Sequence, residues 1–118
     1  MVSDFDRTVL VPRNKTDWVL VLPDGSRLPL EKDTIIGRKP EALEGATALI
    51  VPDATRTLSK SHARLRFDGN SWTIEDLAST NGVVLISPDG TETTVSVGAQ
   101  VPATQRMLIG TLEVQLTK

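Results

Sequence analysis

Three short polar clusters hold the residues whose types and spacing suit chemistry: Gly37-Arg38, Ser59-Lys60-Ser61-His62 and Ser79-Thr80-Asn81-Gly82. Together they offer a guanidinium, an ammonium, several hydroxyls, a side-chain amide and an imidazole. A guanidinium presents a planar fork of donors that fits a tetrahedral oxyanion, and a glycine before it lets the backbone turn without a Cβ clash. Hydroxyls add rotatable donation and an ammonium adds charged donation. An amide, donor and acceptor at once, reads an extended backbone in a way a carboxylate does not. The chemistry implied is recognition of a compact anion by loops. Catalysis is the poorer reading of Ser59, Ser61, His62 and Asp76. The chain has no Gly-x-Ser-x-Gly elbow and no second candidate base, and His62 opens a strand, where an imidazole more often braces a loop. The chain is therefore expected to be no enzyme.

Something must carry these loops, and the intervening sequence reads as β throughout. Trp18, Leu20 and Leu22 alternate with Val19 and Val21. Pro23-Asp24-Gly25-Ser26 then turns the chain into a run at residues 27–30, giving a hairpin. Residues 34–37 form a strand ending at the Gly37-Arg38 loop, and residues 48–51 a short strand stopped by Pro52-Asp53. Ala63, Leu65 and Phe67 share one face of a strictly alternating run, with Arg64 and Arg66 on the other. Asp68-Gly69-Asn70 turns into residues 71–76, where Trp72 and Ile74 take the inward positions. Residues 83–86 and 91–97 flank a Pro88-Asp89-Gly90 turn, and short runs near Val101, at 107–109 and at 112–116 complete the set. Residues 41–45 read as a loop or at most one helical turn. About eleven short strands separated by turn signals predict an all-β sandwich or barrel with a Val, Ile and Leu core.

Composition narrows the function classes. A chain of 118 residues, 39% hydrophobic and 24% charged, is one domain's worth of soluble globular protein. The absence of cysteine removes disulfides and thiolate metal sites, and a single histidine does not make a His-rich one, so no metal and no cofactor are expected. A net charge of −2 argues against general nucleic-acid affinity. The distribution is more telling: residues 54–66 carry Arg56, Lys60, Arg64 and Arg66 and no acidic residue, while residues 68–92 are acidic. No run approaches the ~18 apolar residues of a membrane span, and the first 15 residues lack a signal-peptide core, so a cytoplasmic location and no membrane contact are expected.

Taken in order, Gly-Arg at the end of an early strand, then Ser-x-x-His, then Ser-x-Asn-Gly about twenty residues on, the three clusters resemble the pattern of the forkhead-associated (FHA) domain. Each motif is weak alone; three in register on loops are specific. The resemblance covers residues 18–116 and implies a sandwich of two twisted sheets with its binding loops at one end. It also implies a phosphothreonine-peptide ligand and an upstream Ser/Thr protein kinase. Carried over position by position, it implies that Arg38 grips the phosphate, that Ser59, Lys60 and Thr80 add donors, and that Asn81 bonds the ligand backbone. Gly37, His62 and Gly82 support the loops. Many members place a basic residue two positions before the serine; here Thr57 stands there with Arg56 one step earlier, so Arg56, like Ser79, is a secondary contact.

Residues 1–16 mix charges with one apolar patch, Val9-Leu10-Val11, and are expected to form a flexible arm ahead of a domain spanning 17–118. Thr8, preceded by Asp4, Asp6 and Arg7, is a candidate phosphosite that the domain itself or another copy would bind, giving self-association. A scaffold that uses its sheet surface for phosphate-independent partners is the remaining alternative.

Overall fold

The computed structural model describes residues 15–118. These form eleven strands: β1 (Lys15–Val21), β2 (Arg27–Glu31), β3 (Asp33–Gly37), β4 (Thr47–Ile50), β5 (Ala63–Phe67), β6 (Trp72–Asp76), β7 (Val83–Ile86), β8 (Glu92–Thr94), β9 (Gln100–Pro102), β10 (Arg106–Ile109) and β11 (Leu112–Thr117). One sheet has the order β2-β1-β11-β10-β7-β8 and the other β4-β3-β5-β6-β9. The expected all-β sandwich is the observed one. All pairings are antiparallel except β3 with β4, which requires a crossover and receives one in residues 38–46.

The alternation in the sequence decides which face is buried. Ala63 and Leu65 on β5, Ile74 on β6, Val83 on β7 and Met107 on β10 are fully buried between the sheets, each large side chain contributing about 1.5–3 kcal/mol of transfer free energy. Arg64 and Arg66 stay on the outer face of β5. There Arg64 makes a bidentate pair with Asp33, Nε to Oδ1 and Nη2 to Oδ2, both at 2.7 Å, while Arg66 meets Glu75 at 3.1 Å.

Two details differ from the sequence reading, and a third, the loop at residues 41–45, agrees with it. β1 opens at Lys15, two residues before the boundary expected at Asp17, and the Thr16 hydroxyl donates to the Leu30 carbonyl at 2.8 Å. The strand expected over 91–97 is only Glu92–Thr94, because the chain there changes sheets: the Val95 amide still donates to Val83, whereas Val97 bridges to Asp76 of the other sheet. Residues 41–45 hold a turn closed by Ala46 N–H to the Leu43 carbonyl at 2.9 Å, with no helix. Thr8 and the first fourteen residues of the expected arm lie outside the described residues.

The two poles of the sandwich differ in chemistry. At one, Trp18, Phe67 and Trp72 pack ring against ring with centroids 4.9–6.2 Å apart. The other collects the end of β3, the starts of β5 and β7, the end of β6 and the β10–β11 turn, and all three polar clusters fall there.

Candidate functional site

Gly37 is fixed by close approach. A Cβ at this position would stand 1.9 Å from the Lys60 carbonyl oxygen, because the end of β3 lies directly under the Ser59-Lys60 backbone. The next two amides stitch the loops together, Arg38 N–H donating to the Ser59 carbonyl at 3.1 Å and Lys39 N–H to the Lys60 carbonyl at 3.2 Å. The guanidinium of Arg38 and the hydroxyl of Ser59 thus ride on one backbone-bonded unit. Ser61 closes its edge by accepting the Glu41 amide at 3.2 Å.

His62 is the post on which this unit stands. It is fully buried, its Nδ1 accepts the Ser59 N–H at 2.9 Å, and Nε2 lies 2.7 Å from the Gly82 carbonyl. Since Nδ1 accepts, the proton sits on Nε2 and is donated to Gly82, which fixes the tautomer. One imidazole therefore ties the second polar cluster to the third. In the third cluster the Gly82 amide donates to Ser79 Oγ at 2.9 Å, and the Ser79 amide donates to the buried Asp76 carboxylate at 2.8 Å. Ser79 Oγ thus accepts within the loop, and Ser79 is not among the residues that line the depression between these loops.

Ser59 and Asn81 are each half-committed, and the free half faces outward. The Thr80 amide donates to Ser59 Oγ at 3.0 Å; with that oxygen accepting, the hydroxyl proton of Ser59 is left to donate elsewhere. Asn81 Nδ2 donates to the Thr57 carbonyl at 2.8 Å, which holds the amide in place and leaves its Oδ1 and second N–H for another partner.

Two residues to which the sequence reading gave no part in the site shape the Ser59 loop. Asp53 accepts the Thr55 amide and hydroxyl on one oxygen and the Thr57 and Leu58 amides, at 2.7 and 2.8 Å, on the other. Burial pushes its carboxyl up, but the hydrogen bonds from Thr55, Leu58 and Thr57 together outweigh this and hold it below the usual value of 3.8. That clamp holds Arg56 in the left-handed region at φ 60°, a conformation uncommon for a residue with a Cβ. Asp76 and Ala78, also at φ 60°, repeat the device in the other loop. The second residue is Thr57, whose hydroxyl accepts the Thr111 amide at 2.9 Å across 54 residues of sequence. Gly110 permits that contact, since a Cβ there would meet Thr57 Oγ1 at 2.5 Å. The sequence held a signal for Asp53, a Pro-Asp followed by Thr at the second and fourth positions. It held none for the Thr57–Thr111 link.

The result is an open depression of about 520 Å³ lined by Arg38, Arg56, Ser59, Lys60, Thr80 and Asn81, with Thr57, Leu58 and Ser61 between them. All five residues expected to bind directly are there, and so is Arg56. Among the described residues none of Arg38, Arg56 and Lys60 forms an ion pair, whereas Arg64, Arg66 and Arg106 do. Of the four basic residues in the 54–66 segment, two therefore face the depression and two belong to the sheet. A depression of similar size, about 510 Å³, opens at the aromatic pole between Trp18, Trp72 and Leu116, but its only cation is Lys118, which sits 5.6 Å from the Trp18 ring. Among the described residues no cluster of His, Cys, Asp and Glu fits a metal, and no helix is long and apolar enough to cross a membrane.

A family model described as FHA domain matches residues 34–101, more than half of the chain and all three clusters. The chain belongs to the FHA domain family. Among solved structures, it resembles an FHA domain from a structural and functional analysis of phosphothreonine-dependent FHA domain interactions, at 26% identity and a TM-score of 0.57 over 87% of this chain and 97% of that one. It also resembles the FhaA FHA domain complexed with the intracellular domain of Rv3910, at 28% identity and a TM-score of 0.55 over 85% and 99%. The FHA domain of CT664 from Chlamydia trachomatis, at 24% identity and a TM-score of 0.58 over 86% and 96%, shares the fold. A comparison with curated protein sequences returns no match. FHA domains are phosphothreonine-peptide-binding interaction modules rather than enzymes.

Proposed function

We propose that this FHA domain docks phosphothreonine-containing segments of proteins phosphorylated by a Ser/Thr kinase, in the cytoplasm, with Arg38, Ser59, Lys60 and Thr80 holding the phosphate and Asn81 the peptide backbone. The observation that carries the reading is the set of donors left over around the depression. Three cations with no carboxylate partner among the described residues, one hydroxyl proton that Thr80 leaves unspent and one half-used amide converge on a single opening. A dianionic phosphate with three acceptor oxygens matches that set. The FHA structure from the study of phosphothreonine-dependent interactions, and the FhaA domain bound to a partner's intracellular domain, support the same ligand class.

Hydrogen bonds to charged groups contribute about 1.5–3 kcal/mol each, so three or four of them supply most of the roughly 8 kcal/mol that corresponds to micromolar affinity. Arg56 stands at the rim, where it meets a flanking acidic residue of the ligand.

Amide chemical-shift mapping tests the placement. A phosphothreonine peptide added to the labelled domain is expected to move the resonances of Arg38, Ser59, Lys60, Thr80 and Asn81 and to leave those of Trp18, Phe67 and Trp72 in place. Shifts confined to the aromatic pole would overturn the assignment.

A further inference from the structure

We infer that the binding depression takes the phosphorylated Thr8 segment of a second copy of this chain, not its own; the inference rests on the phosphothreonine reading above and names a partner for it. It follows from where the N-terminal segment joins the domain and how much chain separates Thr8 from that point.

Lys15, the first residue of β1, lies at the aromatic pole: it lines a small depression with Trp18, Phe67, Gly69 and Lys118, and it pairs with Glu31 at the end of β2. The donors lie at the other pole. β1 runs antiparallel to β11 with Val21 opposite Gln115 and Val19 opposite Thr117, so the level of Leu112 falls three positions past Val21. The β10–β11 turn just before Leu112 is pinned to the Ser59 loop through Thr111 and Thr57. The register of β1 shifts between Lys15 and Val19, where four residues oppose two. Allowing for that shift, Lys15 stands some seven strand spacings from the level of the site, about 23 Å along the strands, and the facing sheet adds about 10 Å sideways. The direct distance is therefore about 25 Å.

Seven residue steps separate Thr8 from Lys15, and seven steps reach at most about 25 Å when fully extended. Threonine 8 would arrive in its own site only with every link taut and with Val9-Leu10-Val11 stretched along the flank of the domain. A linker without slack gives an effective concentration near zero, so the intramolecular complex is suppressed. A second molecule is under no such limit.

Charge supports the pairing. Asp4 and Asp6 precede Thr8 with Arg7 between Asp6 and Thr8, so phosphorylation there still leaves a net anionic segment. Arg38, Arg56 and Lys60 line the depression and have no carboxylate partner among the described residues. The phosphate goes to Arg38, Ser59 and Lys60, and the preceding aspartates lie toward Arg56. Such a contact joins opposite poles of two molecules, so it either closes reciprocally between two antiparallel copies or continues as a chain.

The test uses the full chain carrying phosphothreonine at position 8, followed by sedimentation over a hundredfold concentration range. The mass is expected to rise with concentration; the rise is expected to vanish in Thr8→Ala and to move to at least tenfold higher concentration in phosphorylated Arg38→Ala. Mixing phosphorylated Arg38→Ala, which has a ligand and a weakened site, with unphosphorylated wild type, which has an intact site and no ligand, is expected to restore a one-to-one complex at the lower concentrations. A phosphorylated chain that stays monomeric at all concentrations while excluding a labelled phosphothreonine peptide would show binding in cis and overturn the inference. So would a monomer that still binds the labelled peptide, because Thr8 is then no ligand. Failure of unphosphorylated wild type to bind any phosphothreonine peptide would instead bring down the reader assignment, and this inference with it.

Discussion

His62 and Gly82 are twenty residues apart in sequence and joined by a 2.7 Å hydrogen bond, the imidazole Nε2 donating to the glycine carbonyl while Nδ1 accepts the Ser59 amide. This one buried side chain holds the two halves of the depression at a fixed separation. His62→Ala removes both bonds, leaves a buried amide and a carbonyl unsatisfied and opens a cavity. It is expected to destabilise the domain by about 3 kcal/mol, which for a domain of this size lowers the melting temperature by roughly 10 to 20 °C. Thermal unfolding measures the loss. A change of under about 2 °C would contradict the bracing role.

Gly37→Ala is expected to be as damaging for a different reason. The added methyl would meet backbone, the Lys60 carbonyl oxygen at 1.9 Å, and backbone on a stitched loop does not swing aside. Denaturant unfolding is expected to show a loss of about 2 kcal/mol or more, with a parallel fall in phosphopeptide affinity as Ser59 is displaced. Wild-type stability and affinity together would mean that the loops sit farther apart than described.

Arg38 and Arg64 are both arginines beside a strand end or on a strand face, and their substitutions are expected to separate cleanly. Arg64→Ala removes a partly exposed pair with Asp33 and is expected to cost about 1 kcal/mol or less while leaving phosphopeptide affinity unchanged. Arg38→Ala is expected to leave stability alone and to weaken phosphopeptide binding by a factor of about ten to a hundred, equal to the loss of one charged hydrogen-bonding group. Unfolding and binding measured on the same two variants check both halves.

Asp53 sets an acid dependence. Its carboxyl is held below the usual 3.8 in the folded chain, so the stability it contributes is present above that value and disappears as the pH falls through its lower folded value. Asp53→Asn places an NH2 group against either the Thr55 amide or the Thr57 and Leu58 amides and removes the charge-dependent contribution at every pH. The gap in stability between wild type and Asp53→Asn is therefore expected to be widest near neutrality and to shrink below about pH 3.8. A gap independent of pH would mean that the clamp does not depend on the charge.

The strands, and the gathering of Arg38, Ser59, Lys60, Thr80 and Asn81 at one opening, were legible in the sequence because both leave local marks. Alternation at Ala63, Leu65 and Phe67 fixes a buried face, and hydroxyls, an amide and cations concentrated between such runs mark the loops. The departures have equally local causes. The strand over 91–97 was read too long because Val95 and Val97 look alike in sequence yet serve different sheets. Arg64 and Arg66 looked like members of the same basic cluster as Arg56 and Lys60, and only the register of β5 against β3 and β6 brings Arg64 diagonally to Asp33 and Arg66 diagonally to Glu75. The Thr57–Thr111 link was invisible because it depends on two loops meeting in space, permitted by Gly110, where a Cβ would stand 2.5 Å from Thr57 Oγ1.

The central claim is that this depression binds phosphothreonine through Arg38. Calorimetric titration of the wild-type chain and of Arg38→Ala with an oriented phosphothreonine peptide pool, beside matched phosphoserine and unphosphorylated pools, tests it most directly. Saturable binding of the phosphothreonine pool near micromolar affinity, absent for the unphosphorylated pool and weakened at least tenfold in Arg38→Ala, is the predicted result. Equal binding of phosphorylated and unphosphorylated pools, or full affinity in a folded Arg38→Ala, would contradict it and leave a phosphate-independent scaffold as the better account.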